Sequence, residues 1–206
     1  MSSDDDNHAN TTFDIGPVGY EIVGDIKKVN DGSSREIGER AVWSVSSCKQ
    51  GYGVTLLRDD NLESYWQSDG TQPHMVNVQF RQKTDIGCVA IYTDYKSDES
   101  YTPSRVSFRV GNHYHDLREI EQIYMQEPCG WVVVKLQDKI HQKPIRAFIL
   151  QVAILQNHQN GRDTHLRQIK VFSFNGIRKQ FDPTLPMGLT SQQFSTVECS
   201  MFNTIR

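Results

Sequence analysis

RAFILQVAIL, residues 146–155, is the run whose reading decides the fold. Side chains of a strand alternate between two faces, so Phe148, Leu150, Val152 and Ile154 share one face while Ile149 and Leu155 lie on the other. Apolar residues on both faces predict a central strand covered on both sides. Working outward, MVNVQF (75–80) sends Val76, Val78 and Phe80 one way and Asn77 and Gln79 the other. RVSFRVG (105–111) repeats this, with Val106, Phe108 and Val110 inward and Ser107 and Arg109 outward. Each of these strands is expected to have one wet face. IGCVAIY (86–92), WVVVKL (131–136) and LRQIKVFSF (166–174) add further β-favouring runs bounded by Gly, Pro, Asn or Asp. Two stacked antiparallel sheets satisfy both patterns, with long polar loops gathered at the ends of the sandwich. The fold class is therefore all-β. Helical periodicity is confined to a turn or two over Tyr114–Tyr124 and another in VTLLRDDNL (54–62).

The rest of the chain fits around that sandwich. At 206 residues, with 37% hydrophobic and 23% charged, one domain with short tails is expected. Residues 1–34 mix Asp, Asn, Ser and Gly with scattered apolar positions and read as a mobile extension, because such a composition buries little surface. The domain runs over 35–176, and 177–206 reads as a linker, marked by Leu185, Pro186 and Gly188, leading to a tail. A net charge of -3 lacks the basic stripe that a phosphate backbone requires, so no nucleic-acid partner is expected. No apolar run suggests a membrane span. The acidic start, MSSDDDNHAN, is unlike a signal peptide, so the chain is expected not to be secreted and its thiols to stay reduced. Cys48, Cys88, Cys129 and Cys199 include no C-x-x-C pair and frame no zinc site, although their even number leaves a disulfide open.

Three polar segments carry whatever chemistry there is: LRDDNLESYWQSDGTQPH (57–74), DYKSDESYTPS (94–104) and NHQNGRDTHLR (157–167). In the last, Asn160-Gly161 suits a tight turn, glycine taking positive φ freely, and Asp163 and Thr164 can tie down the backbone. That leaves Arg162, His165 and Arg167 beside Asp163, more donors than a solvated turn needs. A binding rim and a structural loop closed by an ion pair from Asp163 to an arginine are the two leading readings. Catalysis is a distant third: there is no nucleophile elbow or Cys-His signature. Two facing carboxylates cannot be picked from Asp59, Asp60, Glu63 and Asp69. His113 and His115 share a strand face but are two ligands only, so no metal is assigned and no cofactor is expected. In the first segment Trp66 is the expected core anchor, Tyr65 the ring left partly exposed, and Asp60, Glu63, Ser68 and Asp69 the candidates for a polar rim. Asp60 serves equally well as the cap of DNLE. Tyr95, Lys96, Asp98, Glu99 and Tyr101 form a charged loop with two rings, a mixture common in recognition surfaces and in solvated loops alike.

Taken together, residues 35–80, 94–112 and 157–172 closely resemble the Doc domain family of the anaphase-promoting complex. The likeness consists of several long segments in the expected order, and it extends to the terminal Ile205-Arg206. The resemblance implies a galactose-binding-domain-like jelly roll and a non-catalytic role in the cell cycle, in nucleus and cytoplasm. It implies that the loop rim, together with a propeller-shaped activator subunit, captures the destruction-box degron of substrates and supports processive ubiquitination. Carried over residue by residue, the degron-binding positions are Asn160, Gly161, Arg162, Asp163, Thr164 and His165, and less firmly Asp60, Ser68 and Asp69. Ile205 and Arg206 are implied to enter a tetratricopeptide-repeat scaffold subunit, with other subunits of the complex as further neighbours. Residues 1–34 and 175–202 match no motif of the family. Because lectin-like proteins use the same fold, a sugar- or lipid-binding module is the alternative.

Overall fold

The computed structural model describes residues 19–29, 34–137 and 145–174. Among them are two five-stranded sheets in which every neighbouring pair is antiparallel. The first runs β3 (Ala41–Val45), β5 (His74–Ile86), β10 (Ile145–Asn157), β7 (Pro103–Gly111) and β8 (Arg118–Tyr124). The second runs β1 (Tyr20–Val23), β9 (Cys129–Lys135), β6 (Cys88–Asp94), β12 (Gln168–Phe174) and β2 (Ser34–Glu36). A two-stranded ladder of β4 (Trp66–Gln67) and β11 (His165–Leu166) stands apart. The inward rows Val76/Val78/Phe80, Val106/Phe108/Val110 and Leu150/Val152/Ile154 of the first sheet meet Val89/Ile91, Val132/Val134 and Ile169/Val171 of the second in one core. Burying each such side chain contributes about 1.5–3 kcal/mol, so this core is the main source of stability.

β10 occupies the middle of its sheet, as its two apolar faces require, but its pairing is irregular near its start opposite β5 and near its end opposite β7. Opposite β5 the register jumps from Ala147↔Thr84 to Ile149↔Gln79. Phe148 falls in that irregularity and is only half-buried, and Ala147 takes the inward place expected of it. On the other face Ser107 is buried where a wet position is expected, its hydroxyl donating to Glu119 Oε2 at 2.5 Å. The segment expected to make a helical turn after Tyr114 instead forms β8, with Ile123 in the core. Val54–Leu57 does form a short 3-10 turn that buries Leu57.

Residues 20–29, counted above with the extension, belong to the sandwich. Tyr20–Val23 pairs with Trp131–Val134 along the edge of the second sheet. Val23, Ile26 and Val29 then cover Cys88, Ala90, Trp131, Val133 and Phe172 on its outer face. The second sheet is therefore apolar on both faces, which explains the unbroken VVV of β9. Burial pushes the Cys88 thiol up to about 11; Cys48 and Cys129 are exposed free thiols. Ile205 and Arg206, and the rest of 175–206, lie outside the described residues.

Candidate functional site

The three polar segments meet at one end of the sandwich, around β4 and β11. α1 (Tyr95–Asp98) is opened by Asp94, whose carboxylate accepts from Lys96 N and Ser97 Oγ. It delivers Asp98 into the interior, 6% exposed. Asp98 Oδ2 accepts from Arg167 Nε at 2.9 Å and Oδ1 from Arg167 Nη2 at 3.1 Å, a two-pronged pair, and Oδ1 also lies 3.2 Å from His165 Nδ1. Arg167 Nη1 donates to the Leu62 carbonyl at 2.8 Å, so one carboxylate and one guanidinium tie all three segments together. Burial alone would raise the Asp98 pKa, but the bonds from His165 and Arg167 outweigh it and hold the carboxyl below its ordinary value. The His165 ring stacks between Tyr101 at 4.2 Å and Tyr65 at 4.1 Å, and Tyr65 stacks on Tyr52 at 5.1 Å. Trp66 is fully buried beneath, donating Nε1 to the Ser47 carbonyl at 3.0 Å.

The loop 158–164 is held from below by Asn157, itself 1% exposed. Its Nδ2 donates to the carbonyls of Gly161 at 3.1 Å and Asp163 at 2.8 Å, and its Oδ1 accepts from Thr164 Oγ1 at 2.8 Å. Thr164 and Ser68 are both buried and exchange two bonds, Thr164 N to Ser68 Oγ and Ser68 N to Thr164 O. Gln72 and His74 reach the carbonyls of Gly161 and Arg162 from the first segment. Positive φ is taken by Gln159 and Asn160, whereas Gly161 has φ -58. Glycine is required there for a different reason: a Cβ would stand 1.9 Å from the Ser100 carbonyl oxygen.

The carried-over positions therefore divide. Asn160 and Arg162 are exposed and Asp163 partly so, as are Asp60 and Asp69 on the neighbouring segment. Thr164, Ser68, Gly161 and most of His165 form the support beneath. Among the described residues Asp163 pairs with no arginine: Arg162 Nε donates to the Gly70 carbonyl at 3.3 Å, and Arg167 uses Asp98. Asp60 does not cap DNLE. DNLE forms no helix to cap: Asp59 closes a turn by accepting from Asn61 N, while Asp60 takes the Lys170 ammonium at 2.6 Å. Of the residues that organise the end, Arg167 stands out in the sequence as a surplus donor, but its pairing with Asp98 and the anchoring role of Asn157 do not. Asp98 looks like one acid among several, and its partner is 69 residues away. Among the described residues no group of three His, Cys, Asp or Glu side chains is arranged to hold a metal ion.

Two packed antiparallel sheets with a clasped loop rim at one end define a galactose-binding-domain-like jelly roll. The family 32 CBM from C. perfringens NanJ, solved in complex with galactose, superposes with a TM-score of 0.57 over 68% of this chain and 99% of that one, at 14% identity. The family model for anaphase-promoting complex, subunit 10 matches residues 17–199. Anaphase-promoting complex subunit 10 of Homo sapiens is 63% identical over 142 residues, 69% of this chain and 76% of that protein. The Drosophila melanogaster subunit 10 is 49% identical over 175 residues, 85% and 86% of the two chains. The chain belongs to the anaphase-promoting complex subunit 10 family.

Proposed function

We propose that this chain is a non-catalytic substrate receptor that captures the destruction-box degron jointly with the propeller activator. Family membership makes it a subunit of the anaphase-promoting complex, a ubiquitin ligase of the cell cycle. The observation that carries the finer reading is the division within one loop. Buried Asn157, Thr164 and Ser68 hold its backbone, which leaves Asn160, Asp163 and the guanidinium nitrogens of Arg162 beyond its bond to Gly70 to face a partner. An extended peptide brings unsatisfied backbone donors and acceptors, and these side chains, with Asp60 and Asp69 alongside, supply complementary ones. Each contact is weak. Sharing the peptide with the activator makes the second contact intramolecular, so modest affinities multiply into long residence and processive ubiquitination.

The Asp98–His165 pair has the outline of a catalytic dyad, but His165 Nε2 bonds to no described hydroxyl or thiol, which favours a binding role. The likeness to a galactose-binding module stands at 14% identity and speaks for the fold alone, so the lectin alternative gains nothing from it. In this proposal Ile205 and Arg206 dock by their side chains into a tetratricopeptide-repeat scaffold subunit.

Reconstituted ubiquitination of a destruction-box substrate tests both parts. Alanine at Asn160, Arg162 and Asp163, the outward side chains, is expected to leave assembly intact and shorten ubiquitin chains. Removal of Ile205 and Arg206 is expected to weaken incorporation. Wild-type processivity in the loop variant would refute the degron reading.

A further inference from the structure

Tyr101 is 39% exposed, yet its ring is held against the rim by a stack on His165. One face of its ring lies on His165, at 4.2 Å and within 9° of parallel, and His165 is itself pinned by Asp98 and backed by Tyr65. Both chain neighbours of Tyr101 are locked to the recognition loop. The Ser100 carbonyl fills the space where Gly161 has no side chain, and the Thr102 carbonyl accepts from His158 N at 2.9 Å. Just upstream, Glu99 sits at φ 44 and ψ -112, a conformation that side chains rarely adopt and that the surrounding bonds must enforce. A ring fixed in this way gives up little conformational freedom on binding, which is what makes rigid tyrosines effective anchors.

Building on the degron reading, we propose that Tyr101 is a specificity-determining contact whose free ring face seats a lysine or arginine side chain of the captured peptide. The ring face is electron-rich, and a cation placed over it is attracted. Two carboxylates of the rim favour the same sign of charge: Glu99, two residues before Tyr101 in the chain, and Asp163, in the loop against which Ser100 packs. Neither takes part in an ion pair among the described residues. The 158–164 loop thus reads backbone, and Tyr101 reads one side chain.

The test is a double-mutant cycle in the reconstituted complex with activator, using destruction-box peptides in which each Lys or Arg is replaced singly by Gln. At one basic position the replacement is expected to weaken binding to the wild type about two- to fivefold, the size of an exposed cation–π contact. The same replacement should have no further effect against Tyr101→Leu. Tyr101→Trp, whose ring face is stronger, should keep or enlarge the wild-type ratio, and it carries the test if the leucine variant fails to fold. Equal effects of every replacement in wild type and Tyr101→Leu, or a smaller ratio with Trp, would overturn the proposal. An Asn160→Ala/Asp163→Ala protein run in parallel separates the two readings. If it loses peptide while no position couples to Tyr101, the basic seat fails and the recognition loop stands. If it binds as wild type, both fail.

Discussion

Two loops of similar composition, GNHYHD (111–116) and NHQNGRDTH (157–165), differ in where their hydrogen bonds go. In the first, the Asp116 carboxylate accepts from Asn112 N at 2.8 Å, His113 N at 2.7 Å and Asn112 Nδ2 at 3.3 Å, all within four residues. Donation from the His113 and Asn112 backbone holds that carboxyl below its ordinary range. In the second, besides the local bonds of Asn157, bonds run to Ser68, Gln72, His74 and Asp98, from 67 to 96 residues away. A loop satisfied by itself can be altered without consequence elsewhere. A loop satisfied by its neighbours couples three segments and holds its outward side chains in a fixed arrangement, which recognition requires.

The contrast is broken most severely at Asp98. Asp98→Ala leaves Arg167 buried without its partner, a change that costs about 3–5 kcal/mol. Chemical denaturation should show that loss, with Asp98→Asn less damaging because one acceptor remains. Next in size is Asn157→Ala, which strands the Asp163 carbonyl and the Thr164 hydroxyl and leaves the Gly161 carbonyl to Gln72 alone; about 1–3 kcal/mol is expected. That variant should also lose destruction-box capture before it unfolds.

Acid gives a graded version of the same experiment. Burial of His158, opposed by Glu127, lowers its pKa below the ordinary 6.5. The stability linked to its neutral form is complete above 6.5 and declines as pH falls through the lowered value. Asp98 is likewise depressed, so its contribution is complete above the ordinary carboxylate value of 3.8 and is lost as pH falls through the folded value. Thermal unfolding should therefore soften first below 6.5 and then sharply in the carboxylate range, with His158→Gln removing only the first step. The smallest effect belongs to Asp116→Ala: the solvent-exposed 111–116 loop should loosen in hydrogen exchange while ubiquitination is unchanged.

Alternation was enough to find both sheets and the central place of β10, because the period of a strand is a local property. What escaped was set by pairing. The irregularity at Phe148 exists only opposite β5, and Tyr20–Val23 is too short to read as a strand without β9 beside it. The site follows the same rule. Composition marked the three polar segments, and Trp66 was recognisable as their anchor. Nothing local distinguishes Asp98 from Glu99, or tells that Gly161 is needed for the Ser100 carbonyl and not for its own φ.

In the proposed function the 158–164 loop is a recognition surface and the 111–116 loop is not. The most direct measurement is the dissociation rate of a destruction-box substrate from the reconstituted complex, comparing Asn160→Ala/Asp163→Ala with His113→Ala/His115→Ala. Faster release and shorter ubiquitin chains are expected for the first pair, with unchanged incorporation, and wild-type behaviour for the second. Equal release rates for the two variants, or a wild-type rate for the first, would contradict that function.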